Sequence, residues 1–252
     1  MLNFTRRSVV LLACAPLAAQ ADVFQVDSPD IGDNKGKLLL ESANRFDQDH
    51  RRASNGFREH ETGLAYGVTS WWQAEVDVEP ERIPGTSGGY TYGFTQMQNI
   101  FQFTRQDSSE KQPYWLSSGI ELTYEHAGGA HIADNFQPLL LLERKQGPVD
   151  VIFNAGPTWE FGPGRKPGTD AGLAFSASYQ IIPELSPGFE WFSDFGKVGH
   201  MGTWSNQQHQ IGPVLYGRLW DRLNYEVGYL FGVSHAAPDG SLKLGLEYEI
   251  PL

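Results

Sequence analysis

Carboxylates recur at every second position in several stretches of this chain. Glu75, Asp77 and Glu79 alternate with apolar residues, and Glu121 and Glu125 lie in a second stretch of the same kind. Residues i and i+2 of an extended strand point to the same face. Each stretch therefore predicts a strand with one acidic face. Acidic side chains gathered around a pore favour cations, so the expected chemistry is attraction of cations.

Seven carboxylates are our candidates for the residues that set selectivity in such an interior: Glu75, Asp77, Glu121, Glu190, Asp194, Glu226 and Glu247. The same strand phase places further charged residues on the inner face: Glu79, Glu125, Glu249, Lys37, Arg58 and Lys243. Like charges at similar height repel unless cations or water compensate them. An equally weighted alternative is a filled interior that these side chains hydrate and cross-link without transport.

Metal binding is the second chemistry to consider. Six histidines lie in or beside predicted loops: His50, His126, His131, His200, His209 and His235. Imidazoles that converge on one rim could hold a transition metal. Because no pair has the spacing of a known metal motif, we predict no metal site and no cofactor.

Nucleophilic catalysis is the third. His200, Ser205 and Asn206 lie close together in sequence and are residue types that hydrolases use. They belong to a glycine-rich loop, however, and a Gly-x-Ser-x-Gly motif is absent. The basic, glycine-rich stretch 162–168 contains two prolines, which lack amide donors, so it does not predict a phosphate site. We predict no catalytic residues and no enzyme.

A pattern of period two runs through most of the chain and predicts the elements that carry these residues. The clearest example is the C-terminal segment, in which Leu242, Leu244 and Leu246 oppose Lys243 and Glu247. About twelve such segments, separated by turn-rich stretches, predict an all-β, transmembrane, antiparallel up-and-down β-barrel. Ten or fourteen strands are alternatives, and a soluble β-sandwich is the alternative fold.

Two segments fit this pattern poorly. The sixth predicted strand, Phe136–Arg144, contains Pro138 and the continuous run Leu139–Leu142. The charged connection Thr104–Pro113 is long, although an even strand count places it at the rim where the other connections are short. In bacterial barrels the short turns face the periplasm and the longer loops face outward.

Large aromatic residues cluster near the ends of the predicted strands. Amphipathic rings prefer the headgroup level of a bilayer, so eight residues are candidates for the membrane interface: Trp71, Trp72, Tyr114, Trp115, Trp159, Tyr179, Trp220 and Tyr248.

The N-terminus has the features of a secretory signal. Arg6 and Arg7 precede a short apolar run, and Ala19-Gln20-Ala21 forms a small-x-small cleavage site. We predict a cleaved signal peptide over residues 1–21, a periplasmic segment over 22–36 and an outer-membrane barrel over 37–252. A twin-arginine signal, or lipid attachment at Cys14, is the weaker alternative.

Composition narrows the classes of function. Cys14 is the single cysteine, so the mature chain has no disulfide or thiolate chemistry. The net charge of −11 argues against nucleic acid as a partner. No other segment approaches the length of an apolar membrane helix. The expected partners are outer-membrane lipid, the barrel assembly machinery and small solutes.

Several segments resemble a family of outer-membrane β-barrels named after a protein encoded with the meta-pathway of phenol degradation. They are 63–75, 99–104, 116–125 and 208–217. The resemblance implies a porin-like barrel for aromatic or other small compounds. Barrels of this kind usually end in Phe or Trp, whereas this chain ends in Leu252.

Three hypotheses follow for the function. The first is a passive channel for small solutes with an acidic, cation-favouring lumen. The second is a non-conducting barrel whose outer loops bind a partner, a lipid or a metal. The third is a lipid-modifying hydrolase built around His200 and Ser205.

Overall fold

A computed structural model describes residues 25–51, 54–84, 89–106, 114–129 and 132–251. The predicted signal peptide, Cys14 and His131 lie outside these ranges. Within them no helix has both the length and the apolar character needed to cross a membrane. Two short 3-10 helices, Gly32–Asn34 and Trp204–Asn206, accompany the strands.

The described residues form twelve strands. They are β1 Leu38–Gln48, β2 Arg58–Gly67, β3 Trp72–Arg82, β4 Thr91–Thr104, β5 Ser117–Ala127, β6 Asp134–Gln146, β7 Val149–Phe161, β8 Thr169–Tyr179, β9 Ser186–Lys197, β10 Gln208–Leu219, β11 Leu223–Gly232 and β12 Gly240–Ile250. Each strand pairs with its neighbours in sequence, and β1 pairs with β12 to close the barrel. The closing register runs antiparallel from Leu38 opposite Ile250 to Gln48 opposite Gly240. The predicted twelve-stranded all-β barrel is confirmed.

The alternating pattern divides each strand into an inner and an outer face. In β3, Glu75 and Asp77 are 6% and 1% exposed, whereas Val76 and Val78 are 50% and 47% exposed. This distribution reverses that of a soluble protein, whose apolar side chains are mostly inside. The apolar surface therefore lies on the outside of the barrel, and the charged surface lies within.

Tight turns close the rim at which β1 begins. Gly147 and Pro148 alone connect β6 to β7, and Gly147 has a φ of 59°. Residues 220–222 connect β10 to β11, and Trp220 and Asp221 have φ values of 53° and 58°. A left-handed backbone matches the twist of an antiparallel pair, which explains why two non-glycine residues adopt it here.

The irregular pattern of β6 has a structural cause. Leu139 and Leu141 point into the barrel and are 9% and 0% exposed. There they form an apolar cluster with Ile100 of β4 and with Ile31, which precedes β1. The leucine run breaks the alternation because part of the interior is apolar at this height.

Candidate functional site

The segment that precedes β1 lies inside the barrel. The backbone nitrogen of Asp27 donates to Asn154 Oδ1 at 2.8 Å, and Asn154 Nδ2 donates to the carbonyl oxygen of Asp27 at 2.8 Å. Ser28 donates to the carboxylate of Glu143. Asn154 on β7 and Glu143 on β6 both face inward, so residues 25–31 cross the lumen as an inner segment.

Two apolar anchors hold this inner segment. Ile31 packs in the cluster of Leu139 and Leu141 described above. Val26 packs against a second buried cluster, in which Phe192 and Leu230 are 2% and 0% exposed. Because buried apolar side chains stabilise docking by about 25 cal/mol per Å² of area removed from water, the two anchors fix both ends of the segment.

At the rim, the inner segment and the 3-10 helix that follows it carry acidic residues that pair with cations. Arg105 Nε lies 2.9 Å from Asp30 Oδ1, and Arg105 Nη2 lies 2.9 Å from Asp33 Oδ1. Lys145 Nζ lies 3.8 Å from Asp30 Oδ2. Arg105 belongs to the long charged connection between β4 and β5, and its pairs with Asp30 and Asp33 explain why this part of the connection is charged.

The wall formed by β1–β5 is strongly acidic. Its inward-facing carboxylates are Glu41, Asp47, Glu59, Glu61, Glu75, Asp77, Glu79, Glu81, Glu121 and Glu125, as the strand registers show. Glu121 and Asp77 are 0% and 1% exposed, so the inner segment and the neighbouring side chains cover them. Arg45 lies on the same face and pairs with Asp47 at 2.7 Å and with Glu59 at 3.8 Å.

In the opposite wall, formed by β9–β12, a cation compensates the inward-facing carboxylates. Lys243 Nζ lies 2.8 Å from Glu190 Oε2 and 3.0 Å from Glu226 Oε1. Tyr216 donates its hydroxyl to Glu190 Oε1 at 2.7 Å. The side chain of Lys243 is only 3% exposed, so a single buried ammonium compensates two carboxylates on β9 and β11.

All seven selectivity candidates lie on the inner face, but they differ in their partners. Glu121 accepts a hydrogen bond from Thr123 at 2.8 Å. Asp194 accepts one from the backbone nitrogen of Gly196 at 2.7 Å, and Glu247 accepts one from Asn224. A small cavity of about 30 Å³, partly open to solvent, lies beside Glu61 and Lys243.

Three neighbouring carboxylates of the β1–β5 wall form a close cluster. Glu61, Glu75 and Asp77 are buried, and each places an oxygen within 4.8 Å of the other two. Within the described part of the chain, neither carboxylate oxygen of Asp77 accepts a hydrogen bond of good geometry, although the side chains of Glu75 and Gln96 approach it. Glu61 accepts one from Gln25 of the inner segment at 3.1 Å.

The strand phase assigned to β2 in the sequence was wrong at one position. Arg58 faces outward, and its guanidinium lies 5.1 Å from the centre of the Phe46 ring. Glu59 and Glu61 face inward instead, opposite Arg45 and Ala43. The alternation Glu59, Glu61, Gly63 was a usable signal, but small residues at the inner positions obscured it.

Seven of the eight predicted interface aromatics lie at one rim of the barrel, where they form a band. Trp71, Trp115 and Trp220 are 53%, 68% and 81% exposed at connections of that rim. Trp159 lies near the other rim and donates its indole N–H to Thr169 Oγ1 at 2.9 Å. Sequence reasoning missed a second band of exposed aromatics at that other rim: Tyr90, Tyr92, Tyr124, Phe161, Trp204 and Phe231.

The structure does not join the residues of the hydrolase hypothesis. Among the described residues no hydrogen bond links His200 to Ser205. A different histidine and serine form a hydrogen bond: His209 Nδ1 lies 2.7 Å from Ser193 Oγ. Trp204 stacks on the His209 ring at 3.7 Å and Ser193 is 3% exposed, so this pair has no room for a lipid ester.

The histidines of the outer loops converge only in part. His50 Nδ1 lies 2.7 Å from Asp239 Oδ1 and 3.6 Å from Asp49 Oδ1. Arg51, however, forms a close ion pair with Asp49. The ring of His235 lies 6.2 Å from that of His50. Since a guanidinium already neutralises Asp49, these contacts form an ion-pair network that ties two loops across the barrel seam.

A closed antiparallel barrel with an apolar outside, aromatic bands at both rims and a charged inside defines the porin-like class of folds. No family model matches the sequence, and no curated protein matches it.

Solved structures share the fold. The COG4313 outer membrane channel from Pseudomonas putida F1 has a TM-score of 0.61 at 10% identity, covering 86% of this chain and 96% of that chain. The KdgM porin has a TM-score of 0.56 at 9% identity, covering 84% and 99%. The KdgM porin in complex with disordered oligogalacturonate has a TM-score of 0.57 at 8% identity, with the same coverage. At these identities the likeness establishes the fold.

Proposed function

We propose that the protein is an outer-membrane channel for small solutes whose lumen favours cations. The observation that carries this proposal is the acidic wall of β1–β5, where carboxylates outnumber the cations that face them. Such a wall lowers the free energy of a cation in the lumen and raises that of an anion. The exposed apolar outer face, with an aromatic band at each rim, supports a place in a bilayer.

The inner segment narrows the proposed pore. Residues 25–31 fill the space between the acidic wall and β6–β7, so solutes pass beside Gln25, where the cavity lies. The oligogalacturonate of the KdgM complex is a polyanion. An acidic lumen repels polyanions, so the solutes of this channel are cationic or neutral.

The experiment is single-channel recording of the refolded barrel in a planar bilayer, with selectivity taken from the reversal potential. Discrete cation-selective conductance steps are expected. Glu75→Gln and Glu121→Gln should each lower the preference for cations. Glu184→Gln removes the same charge from an exposed position outside the strands and should leave selectivity unchanged. Anion-selective steps would contradict the proposal.

A second candidate is a barrel that does not conduct while the inner segment is docked. The burial of Glu121 and Asp77, at 0% and 1% exposure, favours it because a freely hydrated pore would leave its wall accessible. Silent bilayers with the whole mature chain, and steps after deletion of residues 22–31, would establish this candidate. Its outer loops would then be the place to search for a partner, a lipid or a metal.

The targeting features complete the proposal. Cleavage after Ala21 would leave residues 22–36 to enter the barrel from the periplasmic side, with residues 37–252 spanning the outer membrane. The narrower resemblance to the meta-pathway family adds aromatic compounds to the candidate solutes. Outer-membrane lipid and the assembly machinery are the partners that such a location requires, and we propose no catalytic activity.

A further inference from the structure

We propose that Glu61, Glu75 and Asp77 form a binding site for one divalent cation in the wall of the barrel, with Gln96 as a neutral ligand. The proposal deepens the proposed function, because it assigns a specific ion to the acidic lumen, but it does not require that the lumen conducts.

The first support is the geometry of the three carboxylates. They lie on adjacent strands β2 and β3, and each offers an oxygen within 4.8 Å of the others. Their exposed fractions are 9%, 6% and 1%. Buried carboxylates at this separation repel one another strongly, so either protons or a cation must compensate them.

The second support is polar groups without partners. Within the described chain, no hydrogen bond of good geometry reaches either oxygen of Asp77 or either amide atom of Gln96, although the side chains of Glu75 and Gln96 both approach the Asp77 carboxylate. Gln96 is 0% exposed and lies directly opposite Asp77 in the pairing of β3 with β4. Leaving buried polar atoms unpaired costs about 1–3 kcal/mol for each group. A bound cation would satisfy the carboxylate oxygens and the amide oxygen together.

The third support is the space left for Asp77. Gly63 lies opposite Asp77 in the pairing of β2 with β3. A Cβ at Gly63 would lie 1.5 Å from Asp77 Oδ1 and 3.1 Å from Glu75 Oε1. The absence of a side chain at Gly63 therefore lets both carboxylates reach toward Glu61.

The chemistry of the donors selects the ion. Carboxylate and amide oxygens are hard ligands, which suit Ca²⁺ or Mg²⁺, whereas transition metals favour imidazole or thiolate. Ca²⁺ accepts irregular oxygen cages, but Mg²⁺ demands octahedral geometry and keeps its waters. A buried site shaped by two strands fits Ca²⁺ better.

The test is isothermal titration of Ca²⁺ into the refolded mature barrel after removal of metal with a chelating resin, at pH 8. The expected result is one strong site per barrel. Asp77→Asn and Glu75→Gln should each weaken Ca²⁺ binding at least about tenfold, because affinity follows the charge of the ligand set. Glu184→Gln removes one carboxylate from an exposed position outside the strands and should leave Ca²⁺ binding unchanged.

Three results would overturn the site: no heat of binding in millimolar Ca²⁺, an unchanged affinity in Asp77→Asn, or an equal loss of affinity in Glu184→Gln. The folded state of each variant is checked by its heat-modifiable migration in a denaturing gel. If Asp77→Asn does not fold, Glu75→Gln supplies the same comparison. Ca²⁺ binding without conductance steps would contradict the channel and support the Ca²⁺ site. Cation-selective steps without Ca²⁺ binding would support the channel and contradict the Ca²⁺ site.

Discussion

The side chain of Asp77 occupies the space beside Gly63 in the wall of the barrel, so that a Cβ at Gly63 would lie 1.5 Å from Asp77 Oδ1. The two residues are direct partners in the pairing of β2 with β3. The position of this carboxylate thus depends on a neighbouring residue that has no side chain.

The first prediction concerns this dependence. Gly63→Ala should displace the carboxylate of Asp77, because the clashing atom is the free end of a side chain that can rotate. We expect the barrel to fold with a stability change of about 1 kcal/mol and Ca²⁺ affinity to fall at least about tenfold. Gly172→Ala, where the nearest atom would lie 3.3 Å away, is the matched control. Titration and urea unfolding measure the two effects.

The second prediction concerns the buried ammonium of the opposite wall. Lys243→Met leaves Glu190 and Glu226 without their shared cation, which should lower the free energy of unfolding by about 3–5 kcal/mol. Lys37→Met removes a pair with Glu249 whose side chains are 35% and 27% exposed, and it should cost no more than about 1 kcal/mol. Urea unfolding from lipid vesicles measures both. Equal losses of unfolding free energy in the two variants would contradict the conclusion that burial makes the Lys243 pairs more important for stability.

The third prediction concerns the docking of the inner segment. Asn154→Ala removes both hydrogen bonds to Asp27 and should weaken docking by about 1–3 kcal/mol, with larger or more frequent conductance steps. Thr158→Ala changes an inward position of the same strand that bonds to Gln137 instead. Thr158→Ala should behave as the unchanged protein. Unaltered steps in Asn154→Ala would show that this contact does not control passage.

The fourth prediction concerns pH. Burial inside the barrel, followed by the charges of Glu121 and Glu41, raises the pKa of Asp27 well above its ordinary value. Because the docked state holds this proton more tightly, docking is strongest below about pH 4, the ordinary pKa of an aspartate. It weakens as pH rises toward the raised pKa of docked Asp27.

Conductance should therefore increase with pH over this range, and Asp27→Asn should flatten the dependence. Further carboxylates, Glu61 and Glu226, also face Asp27 and raise its pKa. A profile that is unchanged in Asp27→Asn would assign the pH dependence to those wall carboxylates instead.

The fifth prediction separates structure from catalysis at the outer face. Ser193→Ala removes the buried partner of His209 Nδ1, which should lower the free energy of unfolding by about 1–3 kcal/mol. Release of fatty acid from phospholipid vesicles should be the same in Ser193→Ala, in Ser205→Ala and in the unchanged protein. Turnover that either substitution abolishes would restore the hydrolase hypothesis.

The sequence pattern predicted the strands well where one face is polar and the other is apolar. β3 and β5 are examples, since Glu75, Asp77, Glu121 and Glu125 occupy the inner positions expected for them. It failed at Arg58, where the inner positions of β2 include Gly63, a residue without a side chain to reveal the phase.

Local periodicity decided the strand count and the two faces of this protein, because the direction of a side chain in a strand depends only on its position along that strand. No local pattern indicated that residues 25–31 lie in the lumen, since that placement rests on contacts such as Asp27 with Asn154, 127 positions apart. The grouping of Glu61 with Asp77 likewise depends on the register between strands. Only the closed barrel, which fixes every register at once, decides which of the many acidic residues share one site.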